Sequence, residues 1–301
     1  MTARDPLAPL RHLGAVLTPD LIQGTYAALT PLRAQPLAGM QAQYDLSYGP
    51  DERHRLDLYM PVEPAHTVIV YLHGGGFSAG DKGGADAPFF GNWGAWATRA
   101  GYAAAAMTYR LAPQATWPSG AEDLAQAVAF LAAGAGGALT HPRIILAGQS
   151  AGAIHIADYL AGRAGRVSDA VAGAVLMSGI YDFTRHERLF FEAAYFGEDL
   201  AKSEEHSTLQ ALAQQAVPLM FTVSEFDPPQ FQRQAAHLVE AMITQTKRLP
   251  RLHVLAGHNH VSPALFIGAE GDRLGPMITD FVTRCLSPVP DHDGCAPGFA
   301  P

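Results

Sequence analysis

Charge is scarce in this chain, and so is sulfur. Charged side chains make up 16% of the 301 residues, against 48% hydrophobic ones. The 20 basic residues never gather into a run, and with 28 acidic ones the formal net charge is −8. Phosphate recognition needs clustered positive charge, so no nucleic-acid partner is expected. No apolar run reaches the ~20 residues that span a bilayer, so no membrane partner is expected either. The opening Met1-Thr2-Ala3-Arg4-Asp5-Pro6 lacks the apolar segment of a signal peptide, which points to the cytoplasm. Two cysteines, Cys285 and Cys295, have no metal-like spacing to histidine. They read as free thiols, with a bridge pinning the tail as the alternative in an exported protein. There is no internal repeat and no Pro/Ser/Gly-rich divider. Residues 1–286 therefore read as one domain, followed by a flexible Pro- and Gly-rich tail over 287–301.

What is present is a repeated exchange of short apolar runs and helical patterns. Residues 41–48 and 53–60 read as a hairpin across Gly49-Pro50-Asp51-Glu52, the second strand alternating Leu56, Leu58, Met60 against Arg55, Asp57, Tyr59. Continuous apolar runs at 68–72, 102–108, 144–147, 174–178, 218–223 and 251–255 read as buried strands. Helical patterns fall between them. One covers 86–100, with Trp93 and Trp96. Another opens at Ser119 and Glu122 with capping-box spacing, and a last one carries Leu274, Ile278, Phe281, Val282 and Cys285 on one face. Ahead of the hairpin, Thr18 caps a helix that Pro19 opens and Pro31 ends, with Leu21, Ile22, Tyr26 and Leu29 on one side. Such alternation builds an α/β fold: a mostly parallel central sheet with helices on both faces.

One stretch carries the chemistry. The run 144–147 stops at Gly148-Gln149-Ser150-Ala151-Gly152, and a helical pattern follows. A strand, a sharp turn and a helix around G-x-S-x-G hold the serine in strained backbone with its hydroxyl clear of the sheet. The Ala151 amide then lies at the positive end of the helix. His73-Gly74-Gly75-Gly76-Phe77 follows the strand at 68–72 directly, and its glycines let backbone amides approach a ligand. A loop of this type supplies oxyanion donors in lipases and esterases; Gly75 and Gly76 take that place by motif position, and His73 braces the loop.

Two further residues sit past strand ends, Asp227 and His260, giving the order Ser150, Asp227, His260. Ser150 needs a base to become a nucleophile, His260 can take and return a proton near neutral pH, and Asp227 would orient the imidazole. Glu225 competes with Asp227 but would sit on the strand. His258 competes with His260, and its place right after Gly257 suits a loop brace. His155 would lie on the following helix and point elsewhere. Asp123 and Asp182 suit caps or loop hydrogen bonds. Residues 181–212 are longer than a crossover needs and rich in aromatics, Phe183, Phe190, Phe191, Tyr195 and Phe196. This insertion and the segment 1–36 are candidates for a small lid. Phe77, Phe190 and Tyr195 are the substrate-binding candidates.

Together, His73-Gly74-Gly75-Gly76-Phe77, Tyr109-Arg110-Leu111-Ala112-Pro113, Gly148-Gln149-Ser150-Ala151-Gly152, Asp227 and His260 resemble the hormone-sensitive-lipase-like esterases of the α/β-hydrolase superfamily, over residues 68–260. The resemblance implies hydrolysis of small to medium acyl or aryl esters without metal or organic cofactor. It carries the nucleophile over to Ser150 and the oxyanion glycines to Gly75 and Gly76. The late Gly257-His258-Asn259-His260-Val261 departs from the single-His pattern and is similar to the feruloyl-esterase-like and arylformamidase-like neighbours, which brings an amide-cleaving activity into view. A non-catalytic ligand binder on the same scaffold is the third alternative, opposed by the presence of all three triad candidates. The final helix or an edge strand could pair two subunits.

Overall fold

The chain's most apolar runs become its central strands. The computed structural model describes residues 5–35, 39–189 and 191–287. The strands are β1 (Gln41–Ser47), β2 (Arg55–Met60), β3 (Thr67–Leu72), β4 (Ala103–Met107), β5 (Arg143–Gln149), β6 (Val171–Met177), β7 (Leu219–Phe226) and β8 (Leu252–Asn259). They form one eight-stranded sheet in the order β1-β2-β4-β3-β5-β6-β7-β8. From β4 to β8 every pairing is parallel; β2 runs antiparallel to both of its neighbours. The helices are α1 (Pro19–Leu29), α2 (Gly91–Arg99), α3 (Ser119–Ala132), α4 (Ala151–Leu160), α5 (Ala193–Phe196), α6 (Ser203–His206), α7 (Leu209–Ala213), α8 (Pro229–Thr246), α9 (Ser262–Phe266) and α10 (Leu274–Leu286).

Residues of period two divide between two cores. Val68, Val70, Leu72, Ile144 and Leu146 pack with Leu124 of α3, Ile156 of α4 and Leu238 of α8. Ile69, Tyr71, Ile145 and Ala147 pack with Trp93 and Trp96 of α2 and with Ile278 and Phe281 of α10. Both faces are covered, which is why the central strands are apolar throughout. The alternation in β2 holds, but its second face is closed as well. Tyr59 lies under α2, and Asp57 is buried against the Lys82 ammonium at 2.8 Å. No helix among the described residues is long and apolar enough to cross a membrane.

Two helix starts differ from the sequence reading. The pattern at 86–100 becomes helical only from Gly91, because Phe90 adopts a left-handed conformation (φ 72°). There the Asn92 side chain accepts the Phe90 amide at 2.7 Å. Ser119 does not cap α3; it lies inside the first turn, and Glu122 turns to Arg110 at 3.0 Å. Thr18 does cap α1, accepting from the Leu21 amide at 3.2 Å. Among the described residues Cys285 has no disulfide partner; the pairing with Cys295 and the flexible tail lie outside them, apart from Ser287.

This topology prepares a site. The chain leaves β3 through α2 to β4 on one side, then crosses over to β5 on the other side of β3. The carboxyl ends of β3 and β5 therefore face a crevice at the point where strand order reverses, where open α/β sheets bind ligands.

Candidate active site

Ser150 follows β5 directly and holds φ 54°, ψ −120°, a conformation side-chain-bearing residues rarely adopt. Neighbouring glycines permit the bend. A Cβ at Gly152 would lie 2.3 Å from the Leu72 carbonyl oxygen, and one at Gly148 would lie 2.5 Å from that of Gly152. So α4 can start almost on top of β3 and β5. Ala151 is its first residue, and the first amides of a helix have no intrahelical acceptor. The Ser150 amide itself donates to the Met177 carbonyl at 2.9 Å, tying the bend to β6.

Asp227 follows β7 and His260 follows β8. The His260 Nδ1 lies 2.6 Å from Asp227 Oδ1, with both side chains buried. The other carboxylate oxygen accepts from the Ser178 hydroxyl and from the Ser224 amide, each at 2.6 Å. The imidazole packs on Phe231, ring centroids 4.2 Å apart, and Gln149 donates to the His260 carbonyl. His260 Nε2 is buried with no hydrogen-bond partner, and Ser150 and His260 line the same cavity.

The competing residues are committed elsewhere. His258 Nδ1 lies 2.9 Å from the Ser262 hydroxyl, and burial lowers this imidazole to about 4. Glu225 is exposed on β7 and accepts the Gly257 amide at 2.6 Å. His73 Nδ1 bonds to the Gly74 carbonyl at 2.6 Å, its ring stacks on Tyr109, and burial lowers it to about 4. His155 is buried in α4 among Phe77, Tyr109 and Tyr195, and burial lowers it to about 3. Asp123 is held by Arg110 and His54, and Asp182 by Thr184 and Arg185.

The glycine loop after β3 passes directly over the bend. A Cβ at Gly74 would sit 3.3 Å from Ser150 Cβ. Gly75 has φ 130°, and a Cβ there would lie 2.1 Å from the Ala79 carbonyl oxygen. Gly76 has φ 58° and lies under the Phe191 ring. Gly74, Gly75 and Gly76 line a cavity of about 750 Å³ together with Ser150 and His260. Its apolar walls are Leu17, Ile22 and Tyr26 from the α1 region, Tyr71, Phe90 and Phe191. The N-terminal helix thus lies over the cavity, and its Thr25 hydroxyl accepts from the Asn259 side chain at 2.7 Å, one residue before His260.

The substrate-binding candidates need correction. Phe77 and Tyr195 are buried and stacked on each other, 4.6 Å between centroids, in a cluster behind the loop. The Tyr195 hydroxyl accepts the Gly120 amide there at 3.0 Å. Phe77 points inward because its left-handed backbone (φ 66°) turns the chain after the glycines. Phe190 lies outside the described residues. Phe191 supplies the aromatic face instead, and α1 and Phe90 the rest. Sequence reasoning missed Ser178 and Thr25, polar residues whose spacing carries no motif, and Gln149, which fills the variable position of G-x-S-x-G. Among the described residues no group of three or more His, Cys, Asp or Glu could hold a metal ion.

An eight-stranded, mostly parallel sheet with a serine bend after a central strand and acid and base past later strands defines an α/β-hydrolase. The family model described as BD-FAE matches residues 56–249, more than half of the chain, and the chain belongs to that family. In sequence it is similar to "Probable isoprenylcysteine alpha-carbonyl methylesterase ICMEL1" of Oryza sativa subsp. japonica, 39% identical over 119 residues. That match spans 36% of this chain and 25% of the rice protein's length. In fold it is similar to an esterase from the bacterial hormone-sensitive lipase family (TM-score 0.69, 20% identity, 95% of this chain and 100% of that one). It is also similar to a truncated carbohydrate esterase from gut microbiota (TM-score 0.66, 18% identity, 81% and 96%).

Proposed function

We propose that the protein is a carboxylesterase-type serine hydrolase that cleaves small to medium acyl or aryl esters through an acyl-enzyme. The observation that carries this reading is the buried His260–Asp227 pair, with the second imidazole nitrogen unpartnered and the ring lining Ser150's cavity. In the reaction, His260 Nε2 takes the Ser150 hydroxyl proton as the oxygen attacks the ester carbonyl carbon. The C=O π pair moves onto oxygen, and the Gly75, Gly76 and Ala151 amides donate to that oxyanion, an effect of ~3 kcal/mol per donor. When the tetrahedral species collapses, the C–O bond to the alcohol breaks and His260 returns the proton to the leaving oxygen. Water, deprotonated by the same imidazole, then attacks the acyl group and releases acid and Ser150. Asp227 holds the imidazole with its proton on Nδ1 and stabilises the cation formed in each half-reaction. No step in this cycle calls for a metal or organic cofactor. Residues 1–286 serve as one catalytic domain, with α1 over its cavity and Phe191, from the 181–212 insertion, on the cavity wall.

Hydrolysis of p-nitrophenyl acetate, hexanoate and dodecanoate, with N-formylkynurenine alongside, tests this. Ser150→Ala and His260→Ala are expected to lose activity by ~1,000-fold or more. His258→Ala stays within about threefold of wild type at a temperature where it is folded. Activity lost in His258→Ala but kept in His260→Ala would reassign the base. Turnover of the formyl amide alone would replace ester by amide hydrolysis.

A further inference from the structure

The cavity wall carries one carboxylate that the triad does not use. Asp81, five residues beyond Gly76, lines the cavity with its side chain exposed. Its Oδ1 accepts the Gly83 amide at 3.2 Å. The neighbouring cations are engaged elsewhere. Lys82 Nζ lies 2.8 Å from both Asp45 and Asp57. Arg53 is not among the lining residues; its guanidinium donates to the Tyr109 carbonyl at 2.7 Å and to the carbonyl of Gly80, beside Asp81, at 3.0 Å. Among the described residues no salt bridge neutralises Asp81, and the cavity lining holds no Lys or Arg.

Aromatic rings make up much of the remaining wall. Tyr26, Tyr71, Phe90 and Phe191 all line it; Tyr71 is buried between Phe90 and Trp93, 5.6 and 4.2 Å between centroids, so the partly exposed rings are those of Tyr26, Phe90 and Phe191. Aromatic faces carry negative quadrupole density and attract cations, most strongly where water is excluded. A carboxylate at the rim adds a Coulombic attraction of the same sign, and the chain's net charge of −8 adds long-range steering. Anionic esters meet the opposite field. A hydroxyl-rich ester could also bond to Asp81, but the rings offer its other hydroxyls few acceptors.

We infer, resting on the esterase reading, that the cavity selects esters carrying a compact organic cation, a quaternary or protonated amine, with Asp81 as the specificity-determining residue. Two isosteric pairs test this. The first is choline butyrate against 3,3-dimethylbutyl butyrate. The second, with the charge on the acyl side, is ethyl 4-(trimethylammonio)butyrate against ethyl 5,5-dimethylhexanoate. In at least one pair the cationic ester is expected to show about tenfold higher kcat/KM, shrinking to about threefold or less in Asp81→Asn and at high salt. Equal kcat/KM within both pairs, or a ratio unchanged in Asp81→Asn, would overturn the inference and leave the esterase reading intact, because the neutral esters still turn over. Titration calorimetry of Ser150→Ala protein with the same pairs reads recognition without turnover. If no ester is hydrolysed, the esterase reading fails, and equal Kd values within both pairs would then sink the cation preference too.

Discussion

Ser178 shows how much of the setting of Asp227, the proposed triad carboxylate, rests on a residue with no motif. Its hydroxyl and the Ser224 amide both donate to the Asp227 oxygen that His260 does not use. Hydrogen bonds to a charged group stabilise the charge by about 1.5–3 kcal/mol each. Removing the hydroxyl leaves that oxygen with the Ser224 amide alone. Ser178→Ala is therefore expected to lower kcat by less than about tenfold with KM little changed, and Ser178→Thr to restore it. An unchanged kcat in folded Ser178→Ala protein would mean that Ser178 serves packing alone. The three proposed triad side chains were legible because each follows a strand end in the right order. Ser178 also follows a strand, β6, yet one serine among many carries no signal until the sheet brings it beside β7. Phe77 and Tyr195 were misread for the same reason: an aromatic next to a motif can face either side of its loop, and backbone torsion decides which.

At the scale of elements, the loop after β3 is the part most intolerant of change. Gly75 combines φ 130° with a carbonyl oxygen 2.1 Å from where a Cβ would stand. That oxygen belongs to Ala79, whose amide in turn donates to the Gly75 carbonyl at 3.1 Å. Gly75→Ala cannot be absorbed by a flexible side chain; the loop's backbone must shift and carry the proposed donor amides with it. We expect kcat to fall by about 100-fold or more while far-UV circular dichroism stays that of wild type. Wild-type kcat in a folded Gly75→Ala variant would remove this loop from the oxyanion site. The strands were readable from their apolar runs because both sheet faces are covered. Helix starts were less so. Phe90 and Ser119 take their conformations from partners distant in sequence, the α9 carbonyls that hold Asn92 and the Tyr195 hydroxyl against α3. Local propensity does not encode either.

For the whole molecule, buried ionisable groups set the response to acid. Burial holds His73 and His258 near 4 and His155 near 3, below the ordinary imidazole value of 6.5. Their contribution is complete above pH 6.5, where folded and unfolded chains both carry them neutral. It is lost as pH falls from 6.5 toward 4, because the unfolded chain takes up protons that the folded one refuses. Asp158 works the other way. Burial raises it to about 7, so the folded chain binds a proton the unfolded one lacks, and stability rises as pH falls from 7 toward 3.8. Burial also raises Asp57 and Asp272 and lowers His206 and His253, so five imidazoles stand against three carboxyls, each deeply buried group contributing about 1.4 kcal/mol per pH unit inside its window. The melting temperature is expected to fall steadily between pH 6.5 and 4.5. Asp158→Asn should melt several degrees higher than wild type at pH 8 and gain nothing at pH 4.5. An equal gain at both pH values would mean that Asp158 does not hold its proton in the folded state.

The hydrogen bond from Asn259 to Thr25 joins the helix over the cavity to the residue beside His260. The roof over the cavity and the proposed base therefore share this strut. If His260 is the base, a lineage that reshapes the roof to admit a bulkier substrate disturbs it in the same step, and changes of substrate range and of catalytic rate are inherited together rather than tuned one at a time.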